Sequence, residues 1–73
     1  MSKRNENCLE IMKAIKKCGI GVGDPLSSLD LDRIIAVVVG GSPYLLKSYR
    51  NELFLKGFLD KRGGVFFVRK NVK

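Results

Sequence analysis

Between Ser42 and Asn51 the chain collects side chains that suit hydrogen bonding to bases and phosphates. Lys47 can donate to a guanine edge, and Asn51 can pair bidentately with adenine. Arg50 suits a phosphate clamp. Tyr44 offers its hydroxyl to a phosphate or its ring to a thymine methyl. Ser42, Pro43 and Ser48 complete the segment, which starts from Gly40-Gly41. Further on, Lys61-Arg62-Gly63-Gly64 brings two cations to a turn, and Arg69 and Lys70 add charge near its base.

Other chemistries find little material. There is no histidine and no CxxC spacing, so a metal site is not expected. No pair of carboxylates suggests acid–base catalysis, and Asp30 and Asp32 are read as helix-start residues. No catalytic residue, enzyme activity or cofactor is therefore expected. The spelling GIGVG, Gly19 to Gly23, resembles a phosphate loop, but such a loop needs a strand before it and a helix directly after it. Here a helix precedes it, and Asp24-Pro25 stands where the new helix would have to open. Cys8 and Cys18 on one helix would stand roughly 15 Å apart at about 1.5 Å per residue, too far to pair. They are read as buried thiols, with cross-linking of two subunits as the alternative.

Charge supports the polyanion reading. The 73 residues carry 14 Lys and Arg against 7 Asp and Glu, a formal net charge of +7. The excess is uneven: residues 42–73 hold eight basic and two acidic groups, whereas residues 18–41 hold one and three. A basic half of this kind attracts nucleic acid. The longest apolar run, Ile34 to Val39, has six residues, against the roughly 20 a membrane span needs. No export signal opens the sequence, so an intracellular, cytoplasmic protein is expected, nucleoid-associated if it binds DNA.

Hydrophobic spacing predicts the elements that must position these side chains. Cys8, Leu9, Ile11, Met12, Ile15 and Cys18 recur at helical intervals, giving a helix over 5–18. Residues 19–25 read as a connector with a short strand at 20–22. A second helix starts at Ser27, Ser28 or Asp30 and runs to Val39, where Gly40-Gly41 stop it. Its β-branched run also fits a buried strand, but the acidic first turn favours helix. The third helix begins with Ser42 as N-cap and Pro43 at its first position. Leu46, Tyr49 and Leu53 line its inner face, and Gly57 ends it. Phe58-Leu59 and Val65–Arg69 then form a β-hairpin around the basic glycine turn.

In this order the sequence resembles the winged helix-turn-helix family, in particular its small single-domain regulators of archaeal or viral type. Ala36 stands where the family wants a small residue at the helix crossing. Gly40 comes four positions later at the turn, and Leu46 supplies the apolar residue six beyond it. Leu53, three variable residues, Gly57 and Phe58 match the passage from second helix to wing. The resemblance covers roughly residues 8–70 and implies an α+β fold: three helices followed by a C-terminal β-hairpin wing. It implies one winged-helix domain over 1–73, with residues 1–4 and 71–73 frayed. The implied function is sequence-specific binding of double-stranded DNA by a small dimeric transcriptional regulator. The helix over about 42–57 would enter the major groove, and the wing, 58–70, would lie on the adjacent backbone or minor groove. The DNA-binding residues carried by this reading are Ser42, Pro43, Tyr44, Lys47, Ser48, Arg50, Asn51, Lys61 and Arg62.

Phe54 and Leu55 depart from the family, which places polar residues there. With Val37, Val38 and Val39 they suggest more apolar surface than a small monomer buries, and hence a homodimer through helix 1 and Phe54 or Leu55. Two other functions compete: a winged-helix module that docks on proteins, and a non-specific architectural or RNA-binding protein.

Overall fold

A computed structural model of the chain describes residues 3–71. The elements run α1 (Lys3–Lys17), β1 (Pro25–Ser27), α2 (Ser28–Val39), α3 (Pro43–Leu55), β2 (Leu59–Arg62) and β3 (Val65–Val68). The strands form one antiparallel sheet in the order β1-β3-β2. Three helices with this small sheet, closed by a C-terminal hairpin, are the expected α+β winged-helix layout.

Helix α1 begins earlier than the spacing predicts. Lys3 and Arg4 are helical rather than frayed, because Arg4 is tied to α3 through Glu52 and Ser48. Residues 1, 2, 72 and 73, the rest of the expected frayed ends apart from Asn71, lie outside the described residues. The helix ends in a Schellman motif, with Ile20 N donating to the Ile15 carbonyl and Gly19 N to that of Lys16. Helix α3 ends the same way, Phe58 N donating to Leu53 and Gly57 N to Phe54. Each motif sets the apolar residue after the glycine against the helix it closes.

The expected strand at 20–22 is absent. Asp24 makes a turn there, its carboxylate accepting from Gly21 N at 2.7 Å, and Val22 is left exposed. The strand lies instead at Pro25–Ser27, paired with β3 in the register Pro25↔Phe67, Leu26↔Phe66, Ser27↔Val65. Proline is tolerated at the first position of an edge strand. Leu26 supplies the reason for the placement, since it is buried while its two neighbours face solvent.

Ser27 then caps α2, its hydroxyl accepting from Asp30 N at 3.2 Å. Helix α2 confirms the helical reading of residues 34–39, with Leu31 and Ile35 fully buried. Ser42 departs from expectation: it precedes α3 with extended backbone but makes no side-chain cap bond, so only Pro43 helps start the helix. The wing turn is also tighter than expected. Lys61 and Arg62 belong to β2, and only Gly63-Gly64 turn, both at positive φ as a two-residue primed hairpin requires.

The core joins one face of each helix to one face of the sheet: Ile11, Met12 and Ile15 of α1, Leu31 and Ile35 of α2, Tyr49 and Leu53 of α3, and Leu26, Leu59, Phe66 and Val68 of the strands. Alternation along β3 buries Phe66 and leaves Phe67 half-exposed.

Between α2 and α3 the chain turns on Gly40, at φ 105° and ψ 163°. This is not the left-handed helical conformation but an extended positive-φ region that essentially only glycine occupies. A Cβ at Gly40 would meet nothing within 4 Å, so any cost of substitution is conformational. Gly40→Ala is expected to destabilise by about 1–3 kcal/mol. Gly41→Ala, also in open space and without positive φ, should change stability by no more than about 0.5 kcal/mol. Thermal melts of the pair check this.

Candidate nucleic-acid interface

Helix α3 divides its side chains by spacing. Tyr49 and Leu53, four apart, face the core. Tyr44, Lys47, Asn51 and Phe54, at intervals of three and four, face outward and are all exposed. Opposite them stands the wing. Between the two lies an open cleft of about 710 Å³, lined by Tyr44, Lys47, Ser48, Arg50, Asn51 and Phe54 of α3 with Lys61 and Phe66 of the hairpin. The lining contains the cations Lys47, Arg50 and Lys61 and no carboxylate. Six side chains singled out from sequence thus meet at one place: Tyr44, Lys47, Ser48, Arg50, Asn51 and Lys61.

The other three stand apart from it. Ser42 and Pro43 are exposed at the start of α3. Since Ser42 does not cap, the first free amides of α3 are not satisfied by it. Arg62 is at the wing tip, 3.5 Å from the Asp60 carboxylate and largely exposed. It also approaches the Phe67 ring, at 5.9 Å. Lys61 lies 5.7 Å from the ring of Phe66, its cross-strand partner. Ser28 Oγ, at the start of α2, donates to the Gly64 carbonyl at 3.4 Å, bringing that helix start beside the wing turn.

The cleft residues are not equally free. Lys47 enters no ion pair among the described residues and is exposed. Ser48 Oγ accepts a hydrogen bond from Arg4, which also reaches Glu52 Oε1 at 3.1 Å and stacks 4.5 Å from the Tyr49 ring. Asn7 donates to the Tyr49 hydroxyl, and Lys56 to Asn5, so α1 grips α3 along this whole flank. Arg50 occupies the opposite flank, its Nε 3.2 Å from Oδ1 of Asp32 on α2.

Phe54 and Phe66 were not among the expected site residues. Phe54 could have been found by its helical spacing from Asn51. Phe66 could not, because its place depends on the register with Lys61. Arg4 and Asp32 carried no sequence signal as partners of this helix.

The cysteines fall on either side of the surface. Cys8 is buried as expected, and burial, reinforced by nearby Glu52, pushes its thiol pKa above the ordinary value against the smaller pull of Lys56 and Arg4. Cys18 is exposed, contrary to the buried reading, because α1 closes at Lys17 and Cys18 falls in the turn that follows it. Both are free thiols.

No family model, curated protein or solved structure matches the chain. No helix among the described residues is long and apolar enough to cross a membrane.

Proposed function

We propose that the protein is a sequence-specific double-stranded DNA-binding regulator of the winged helix-turn-helix kind, with α3 in the major groove and the β2–β3 wing on the neighbouring backbone or minor groove. The observation that carries this reading is the cleft, where Lys47, Asn51 and Arg50 of one helix face Lys61 of the wing with no carboxylate among them. Lys47 and Asn51 lie one helical turn apart on the outward face and read base edges. Lys61 and Arg62 neutralise phosphates, and Ser42, Pro43 and Tyr44 lie where the helix start meets the backbone. Ser48, held by Arg4, serves as a positioned hydroxyl rather than a free one. Such a regulator works in the cytoplasm, on the nucleoid.

The regulator acts as a homodimer. Leu55, 70% exposed, follows Asn51 by one helical turn at the C-terminal end of α3 and does not line the cleft. Phe54 lines the cleft, so it belongs to the DNA face and Leu55 is the better subunit contact. The exposed positions of α1 are the charged Lys3, Glu6, Glu10, Lys13, Lys16 and Lys17, so its share in the contact is polar.

A second reading, a protein-docking module, draws on the same exposed Tyr44, Phe54 and Leu55. Selection from a random duplex library near physiological salt separates the readings. Recovery of a palindrome supports the dimeric regulator, with half-sites about one helical turn apart. Binding without enrichment points to an architectural role, and no binding even at low salt removes the DNA reading and leaves the docking module.

A further inference from the structure

Arg50 is held differently from the other cations of the cleft. Its side chain is 31% exposed and that of Asp32 27%. Arg50 Nε and Asp32 Oδ1 are both sealed from solvent and stand 3.2 Å apart, yet they do not align as a hydrogen bond. Asp32 is the only ion-pair partner of Arg50 among the described residues. The guanidinium is a rigid fork of five donors, so contact at Nε leaves its terminal nitrogens outside this ion pair, and Arg50 is one of the residues that line the cleft.

Resting on the DNA reading above, we propose that Asp32 is a specificity-determining positioning residue: it fixes Arg50 for one contact on the bound duplex while cancelling its indiscriminate attraction for phosphate. Two physical effects act together. A carboxylate at the root of the fork restricts the orientations it can take, so the contact forms only where a phosphate or a base edge meets it. The same carboxylate places a negative charge beside the cleft, and this charge opposes any DNA that offers only its backbone. Lys47, exposed and in no ion pair among the described residues, attracts any duplex. Arg50 is charged but restrained, and contributes where the geometry is right. The position of Asp32 on α2 makes this a property of the helix pair, since the carboxylate reaches Arg50 only when α2 and α3 pack together.

The test is Asp32→Asn in the full chain, measured by titration on the selected duplex and on a scrambled one across a salt series. The expected result is a fall of about tenfold in the ratio of specific to non-specific affinity, with the non-specific salt slope steeper by about one unit because Arg50 now pairs freely with phosphate. Arg50→Lys, which keeps the charge and loses the fork, should also lower the ratio. In an Arg50→Gln background, Asp32→Asn should have no further effect on the ratio. Equal weakening on both duplexes would reduce Asp32 to a purely structural contact, and an unchanged ratio in either Asp32→Asn or Arg50→Lys overturns the proposal. Failure of the unmodified protein to bind any duplex overturns the DNA reading and this inference with it, whereas an unchanged ratio overturns this inference alone.

Discussion

Replacing Lys47 and Asn51 together by alanine is expected to lower affinity for the selected duplex by about 30-fold to more than 1000-fold, since each good base contact discriminates by about 1–3 kcal/mol. Both side chains are exposed on the outward face of α3, so the fold should survive and the melting temperature should move little. The two residues then separate by their effect on scrambled DNA. Lys47→Ala removes a charge and should weaken binding to every duplex, flattening the salt dependence by about one unit. Asn51→Ala removes no charge and should relax the preference at one base position while leaving non-specific affinity in place. Equilibrium binding on matched and scrambled duplexes measures both. Equal losses on both duplexes for Asn51→Ala would place it on the backbone rather than on a base.

The second large effect is on stability. Leu53→Ala is expected to cost about 2–5 kcal/mol, because it deletes a fully buried side chain where α3 closes on the hairpin. Leu53 also presents its carbonyl to Phe58 N in the motif that ends the helix, so a collapse there would disturb the start of the wing. A domain of this size is stable by about 4–11 kcal/mol at the usual per-residue value, and the substitution therefore removes a large part of the total. Leu55→Ala, two positions away and 70% exposed, should stay within about 0.5 kcal/mol. Urea unfolding of both variants at low protein concentration, where subunit contacts contribute least, makes the comparison. Similar losses for the two would mean that Leu55 is covered by a second subunit even in dilute solution.

The contrast between Leu53 and Leu55 was partly visible in the spacing, since Leu46, Tyr49 and Leu53 recur at three and four. Most of what the sequence revealed has this local character. A helix repeats its environment every three to four residues and a strand every second residue, so α1, α2, α3 and the hairpin could be placed from neighbours alone. Glycines marked the chain reversals for the same reason. The outward face of α3, with Lys47 and Asn51, is fixed by that spacing once the inner face is known.

The departures arise where a residue answers to a distant partner. Ile20 to Val22 spells a plausible strand, but the sheet takes Pro25–Ser27 because Leu26 finds the core beside β3. Ser42 is a good cap by type, yet its side chain makes no cap bond in this turn. Arg4 belonged to an end expected to fray, and α3 holds it through Ser48 and Glu52. By itself the sequence determined the helices, the hairpin and the basic character of the C-terminal half, because short-range periodicity and composition encode them. Only the tertiary structure decided that Phe54 and Phe66 share a cleft with Lys47 and Asn51, and that Asp32 stands against Arg50. Those relations are set by how helices cross and strands register, which brings together side chains that no local spacing connects.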